Sequence, residues 1–594
     1  MQIFNEADEH DQSGADHSSE EQGSEGLHRQ GEQDIHDGNC NCMARRCEDV
    51  RLAAMLRVPL RLWILAAFSG ALQVLPFPIA GPTPPWRTAF CWIALVPLLV
   101  ALLAKDKSGR PLSALQTALL GYISGIVWYC GNCYWIYQTM YLYGGLSKPV
   151  SLGILFLFCL YLGLYHALFG ALAGLLRRSR LGQAGALAAM PFLWVAVELA
   201  RARITSFPWD QLGVTQGDNH LFTMTAPYAG VYGISFLIAL VNVLFVAAIR
   251  LRPKSRRLLL TAACVLLSAA LQSGRLLSPA PLPSPATAFL LQDDLQVGAE
   301  RAGDQMDELQ MLTRFTQLSE HPSGAVYHGM PSVEQPPIIP PGGQRRPDLI
   351  VWPEAPTDFR LDDPTFLRWM SMLAQDSHAS LIIAGMAVEF DRAVPRGYRL
   401  YNSAAFFSTS GNYSGRYDKM HLVPFGEYIP FKDLLFFAKN LTQEAGDMDH
   451  GTHRVNFNSA GHSYGTFICY ESIFADEVRQ FARNGAQVLV NVSDDGWYGD
   501  TSAPWQHLNM ARMRAIENHR WLLRSTNTGI TASIDPYGRV ILSAPRHVRT
   551  SIAVQFGYEN DLTFYTLHGD VFAYLCALAT LVLAAFALSG LEAQ

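Results

Sequence analysis

The sequence predicts a two-part protein: a multi-span α-helical membrane domain of about eight transmembrane helices, and an extramembrane α/β domain set before the last of them. Three observations predict it. Charged residues make up only 16% of the 594 residues and hydrophobic ones 49%, against a norm of about 25% charged. Apolar runs of roughly 20 residues, the length a helix needs to cross a bilayer, crowd the first half of the chain and recur at its C-terminal end. Between 285 and 570 they give way to short β-branched runs alternating with helical patterns, the signature of a layered α/β or α+β domain.

The order along the chain follows. Residues 1–50 read as a disordered cytoplasmic tail, rich in Asp, Glu, Gly, Ser and His and too poor in apolar groups to offset its ordering entropy. Its Cys40 and Cys42, with His36 nearby, are too few for a structural zinc site, and no basic start precedes an apolar run as in a signal peptide. Residues 51–284 form a seven-span domain, with spans at about 58–78, 86–104, 113–137, 151–175, 183–200, 231–249 and 258–276. An eighth span, at about 571–589, lies in the C-terminal segment 571–594. Lys and Arg gather in alternate loops: Arg45, Arg46, Arg51 and Arg57; Lys105, Lys107 and Arg110; Arg177, Arg178 and Arg180; and Arg250 through Arg257. The positive-inside rule puts these loops in the cytoplasm. Seven spans then deliver residues 285–570 to the opposite face, the periplasm in a Gram-negative cell or the exterior otherwise.

Within 285–570, strands are predicted around Thr287–Gln292, Asp348–Trp352, Ser380–Ala384, Gln487–Val492 and Gly529–Ile534, with helices around Glu300–Leu318 and Ala503–Arg520. The Pro-, Gly- and Gln-rich stretch 319–347 reads as a surface insertion. The net charge of −6 gives no footprint for a nucleic-acid partner. No metal cluster or phosphate-binding Gly-rich loop is evident, so neither metal nor cofactor is expected.

Of the ten cysteines, Cys469 alone falls in the extramembrane domain. It follows the run Thr466-Phe-Ile468 and precedes the polar turn Tyr470-Glu-Ser472. An unpaired thiol in an oxidising compartment calls for an explanation. A thiol at a strand end can also serve as a rigidly held nucleophile. Such a thiol needs a base and a group to meet the oxyanion of acyl transfer. Glu354, at the tip of Leu349-Ile-Val-Trp-Pro-Glu354, and Lys419, within the functional-group-dense stretch 415–430, fit that need.

Trp352-Pro-Glu354, Tyr417-Asp-Lys419 running on to Glu427, and Cys469-Tyr-Glu471 resemble the Glu, Lys and Cys signatures of the nitrilase superfamily, in its order. Seven spans before such a domain and one after resemble its apolipoprotein N-acyltransferase family, over about residues 58–590. Phe207-Pro-Trp209, Gly496-Trp-Tyr-Gly-Asp500 and Gln506-His507 agree. Gln292-Asp-Asp-Leu295 departs from the family's usual Gln-Gly-Asn-like turn, and Ser493-Asp-Asp495 stands for its Ser-Asn-Asp.

The resemblance implies an α-β-β-α sandwich and a two-step acyl transfer. Glu354 is the general base, Cys469 the nucleophile and Lys419 the oxyanion stabiliser, with Glu427 and Glu471 in support. Tyr470 and Trp497 are implied as substrate contacts. The donor is a membrane phospholipid, the acceptor the α-amine of a diacylated apolipoprotein, and the enzyme a monomer of the bacterial inner membrane. The apolar stretch 431–438, with Phe431, Leu434 and Phe436, is expected to act as a lipid-facing lid. The chief alternative is a membrane-tethered amidase hydrolysing a small amide. A scaffold needs neither thiol nor base, and a permease would show more intramembrane charge than these spans carry.

Overall fold

A computed structural model describes residues 58–295, 297, 308–322, 326–327, 346–354, 359–429 and 447–592. The acidic tail, most of the 319–347 insertion and the stretch with Phe431, Leu434 and Phe436 lie outside the described residues.

The first half is helical: α1 (Leu60–Val74), α2 (Val96–Leu102), α3 (Ala114–Asn132), α4 (Lys148–Arg178), α5 (Gly182–Ile204), α6 (Ala226–Arg250) and α7 (Lys254–Gln272). Among the described residues, six stretches are long and apolar enough to cross a membrane: Pro85–Leu102, α4, α5, α6, Lys254–Leu276 and Val571–Ser589. Helices occupy the other two positions expected to span, but they fall short of the same measure. Helix α1 has only 15 residues, and α3 carries Gln116, Thr117, Ser124 and Asn132 on its buried face. The Pro85–Leu102 stretch is also not one continuous helix. It passes through a 3-10 turn at Ala89–Trp92 before α2 starts with Pro97 in its first turn, where a missing N–H costs nothing.

Helices α3 and α4 touch backbone to backbone. A Cβ on Gly121 would collide with the carbonyl of His166, and one on Gly170 with that of Thr117. Small residues thus do the work that apolar burial cannot do between helices in lipid. Ser113 and Gln116 form a capping box that closes the start of α3.

The second half contains two sheets. The larger runs in the order β2 (Val326–Tyr327), β13 (Val548–Phe556), β1 (Ala286–Gln292), β3 (Leu349–Val351), β4 (Ser380–Phe390), β5 (Tyr398–Phe407), β6 (Tyr413–Asp418). The smaller runs β12 (Val540–Ser543), β11 (Ala532–Ile534), β10 (Trp521–Thr526), β9 (Val488–Ser493), β8 (His462–Ile468), β7 (Asn456–Ser459). Alternation along β1 explains the layering. Phe289 and Leu291 join the cluster containing Phe315 and Phe366 on α8 (Glu308–Glu320) and α9 (Pro364–Ser377). Ala288 and Leu290 face the other way, into the core shared with the smaller sheet. Ser525 on β10 bridges the sheets by donating to the carbonyls of Leu291 (2.7 Å) and Val351 (3.1 Å).

Helices α10 (Ala475–Arg483) and α11 (Ala503–Asn518) cover the smaller sheet, completing an α-β-β-α sandwich. Helix α11 is buried on nearly every side because its other face packs on the membrane half, against α6. The chain ends in α12 (Val571–Glu592), which packs against α5. The predicted strands and helices of this half are present, β8 among them as the strand leading to Cys469; β2, β5, β6, β7, β10, β12 and β13 complete the sheets.

Candidate active site

Three strand ends converge. Pro353, which lacks an N–H for the ladder, follows β3 and carries the chain into Glu354. Lys419 follows β6 and Cys469 follows β8. Strands β3 and β6 belong to the larger sheet and β8 to the smaller, so the site straddles the two.

Lys419, 1% exposed, donates to Glu354 Oε1 (3.0 Å) and Glu427 Oε1 (2.9 Å). Asn402 on β5 closes the ring. Its Nδ2 donates to the same two oxygens, at 2.7 Å and 2.8 Å. The second oxygen of each carboxylate accepts a backbone N–H, from Asp494 for Glu354 and from Val423 for Glu427, both at 2.8 Å. Burial alone would pull the lysine's pKa down; the charges of Glu354 and Glu427 outweigh it and hold the ammonium well above its ordinary value.

Cys469 sits at φ +49°, in the left-handed region that a non-glycine residue rarely adopts. The sharp turn stops β8 and opens the 3-10 segment Cys469–Ile473. Its thiol is buried, and burial pushes its pKa well above the ordinary value. The Glu354 carboxylate adds to that rise, and Lys419 opposes it. The resting thiol is therefore protonated, and Glu354, Lys419 and Asp495 are the charged groups that act on it.

Glu471 does not touch Lys419. It accepts from the backbone N–H groups of Ile468 (2.7 Å), Met420 (2.7 Å) and His421 (3.1 Å) and from the Tyr417 hydroxyl (2.8 Å). It thereby ties the turn of the cysteine to the loop of the lysine. Glu427 touches the lysine directly. Behind the thiol, His507 Nε2 lies 2.7 Å from Ser472 Oγ and 3.1 Å from the Cys469 carbonyl. Its Nδ1 lies 2.8 Å from Asp495, which Arg524 also holds at 2.7 Å. Burial and the Arg524 charge push the His507 pKa down, leaving the ring neutral at physiological pH.

The site rests on the membrane half. The Tyr470 hydroxyl donates to the carbonyl of Ser206 (3.3 Å), just past α5. Gln506 accepts from Trp209 Nε1 (2.8 Å) and donates to the carbonyls of Pro78 and Asn132 (3.2 and 3.0 Å). Trp497 accepts from Thr139 through its carbonyl (3.0 Å) and meets Tyr143 edge-on. A cavity of about 290 Å³ lies at the same junction, lined by Pro78, Thr215, Trp505 and Arg512, but it touches none of Glu354, Lys419 and Cys469. Among the described residues, His519, Glu559 and Asp561 alone have metal-ligand spacing. Arg520 lies 3.5 Å from Asp561, so a cation already faces that carboxylate.

Sequence reading singled out the three strand-end groups and both glutamates, yet missed Asn402. Its signal was faint: one amide inside Tyr398–Phe407, ahead of the apolar run Ala404–Phe407.

Comparison with known proteins finds relatives of both halves. A carbon-nitrogen hydrolase family profile matches residues 305–556, and one for the apolipoprotein N-acyltransferase N-terminal domain matches residues 69–244. A Geobacter metallireducens protein named apolipoprotein N-acyltransferase is 34% identical over 543 residues, 89% of this chain and 96% of its own. A Methylococcus capsulatus protein of the same name is 32% identical over 85% of this chain and 92% of its own.

Proposed function

The chain belongs to the apolipoprotein N-acyltransferase family, and from that premise we propose a two-step acyl transfer carried by Cys469. The protein is a membrane-bound acyltransferase of lipoprotein maturation. In the first step the Cys469 sulfur attacks an ester carbonyl of a membrane phospholipid and Glu354 takes the thiol proton as the C–S bond forms. Lys419 spends two N–H bonds on Glu354 and Glu427, leaving a third for the developing oxyanion. When Glu354 becomes neutral, Glu427 keeps the lysine charged. The lysophospholipid leaves with that proton, and a thioester remains. In the second step the α-amine of a diacylated lipoprotein attacks the thioester, C–N forms, C–S breaks and the thiol is restored.

The observation that carries this reading is the closed ring of Glu354, Lys419, Glu427 and Asn402 beside a buried thiol, seated on the membrane helices through Tyr470 and Gln506. An enzyme acting on a phospholipid ester gains from such a seat, since extracting an acyl chain costs about 0.8 kcal/mol per CH₂. The Lys- and Arg-rich alternate loops support an inner-membrane topology with this site on the periplasmic side. Every group in the ring comes from one chain, in keeping with a monomer. The match to the membrane-domain profile disfavours a tethered amidase.

Intact-protein mass spectrometry after exposure to phosphatidylethanolamine vesicles tests the reading. An acyl-sized mass gain is expected on Cys469, discharged by a diacylated lipopeptide with transfer of the acyl group to its α-amine. A wild-type protein that gains no mass would overturn it.

A further inference from the structure

The amide of Asn402 has only one orientation that fits its surroundings. Its nitrogen faces two carboxylate oxygens, at 2.7 Å and 2.8 Å, and only an NH₂ group can donate to both. That fixes its Oδ1. Asn402 is 5% exposed, yet Oδ1 is buried and no described residue donates to it. A buried acceptor without a donor loses the free energy of a hydrogen bond, and such groups in native proteins call for an explanation. Its neighbours do not supply one. The Lys419 ammonium is turned to the two glutamates, and the Lys419 backbone N–H goes to the Asn402 main-chain carbonyl (2.8 Å).

The two substrates differ in what they bring to this corner. A phospholipid ester carries acceptors and no N–H at its reacting carbonyl. The α-amine carries N–H donors at the very atom that reacts. We propose that Asn402 Oδ1 receives an N–H of the incoming α-amine, and that Asn402 thereby selects an amine over other nucleophiles in the second step. This inference rests on the thioester mechanism above. The amine reaches the site neutral, its nitrogen lone pair forms the C–N bond and the C–S bond breaks. Glu354 takes one amine proton and passes it to the Cys469 thiolate, while the N–H held by Asn402 stays on the amide product. One amide group then serves both partners of the step: its NH₂ holds the base and its carbonyl oxygen aims the nucleophile.

The test compares two ways of discharging acyl-Cys469: by a diacylated lipopeptide, whose nucleophile has N–H bonds, and by 2-mercaptoethanol, whose nucleophile has none. The readout is the ratio of the two rates, which cancels damage to the fold, while Asn402→Asp, which also loses the bond to Glu354, controls for damage to the base. Asn402→Ala is expected to lower that ratio about tenfold, as loss of one hydrogen bond in a dry site would. Asn402→Asp keeps an acceptor oxygen there, so its ratio should stay within about twofold of wild type even though both rates fall. Equal losses of both rates in Asn402→Ala would overturn the assignment, leaving Asn402 as a positioning residue for Glu354 only. A ratio in Asn402→Asp as low as in Asn402→Ala would overturn it as well. Wild-type protein that forms no acyl-enzyme sinks the mechanism itself, a result distinct from both.

Discussion

Lys419 and Arg201 are both buried cations, one in the catalytic half and one at the end of α5 in the membrane half, and the protein treats them differently. Lys419 is locked between two carboxylates whose remaining oxygens are also bonded. Arg201 is 3% exposed and reaches the Tyr129 hydroxyl at 3.2 Å, but its Nε and Nη2 have no partner among the described residues. Its guanidinium lies instead 5.4 Å and 5.9 Å from the rings of Trp128 and Tyr129. The contrast teaches that a buried cation can be locked in carboxylate pairs, as Lys419 is, or held by aromatic faces and a single hydroxyl, as Arg201 is. A charge held in matched pairs is costly to disturb from one side; a buried cation over aromatic rings is worth about 2 kcal/mol, and the buried Glu198 and Asp210 also feel the Arg201 charge.

Four experiments would break or sharpen that contrast. Lys419→Met should have the largest effect, because it leaves Glu354 and Glu427 facing each other without a cation. Acylation of Cys469 should fall at least about 10²–10³-fold, and thermal unfolding in detergent should report a loss of roughly 3–5 kcal/mol. Retention of both would mean that the ring is not held by charge.

Asp494 is the next case, a buried acid facing no cation. Burial pushes its pKa up to about 7, and Glu354 and Asp495 add to the rise. The folded protein thus binds this proton more tightly than the unfolded chain does. The stability it confers is full below the ordinary carboxyl pKa of about 4 and is lost as pH rises through about 7. Asp494→Asn should therefore be more stable than wild type by about 1–3 kcal/mol at pH 8, with the advantage gone at pH 4. Melting temperatures across that range would show it. Acylation should change little, since it is the backbone N–H of residue 494 that holds Glu354.

Gln506→Leu removes four hydrogen bonds linking the catalytic half to Trp209, Pro78 and Asn132. A loss of about 1–3 kcal/mol is expected, since the partners it strands are buried. Arg201→Leu should be mildest, lowering stability by about 1–2 kcal/mol through loss of its ring contacts and its bond to Tyr129. A collapse of folding there would show that the two cations are held alike after all.

Much of the site was legible because its main groups are local exceptions. Glu354, Lys419 and Cys469 each stand as a charge or thiol at the end of an apolar run, and chain order alone lines them up with a known pattern. The sandwich was legible for a similar reason, in the short β-branched runs of β1, β3, β4 and β9. What was hidden depends on pairing between distant segments. Asn402 matters because β5 lies antiparallel to β6, setting Ser403 opposite Asp418 and so Asn402 beside Lys419, and no window of sequence contains that. Glu471, expected to orient the lysine or the amine, instead accepts the backbone N–H groups of Met420 and His421, an arrangement that residue type cannot announce. The internal shape of the spans was hidden for the opposite reason. A run of apolar letters does not reveal that α1 stops at Val74 or that the stretch after Pro85 breaks into short turns.

Helix α6 is interrupted at Gly230, whose φ of +62° breaks the helical path where the Tyr565 ring presses on the backbone. The next N–H, from Val231, is given to Glu517 of α11 at 2.9 Å. A lipid-side helix has thus surrendered part of its own ladder to a residue of the water-side half. Swivelling the two halves about this point would strand both groups. A pair of distance reporters placed across the junction is therefore expected to read the same value at every stage of turnover.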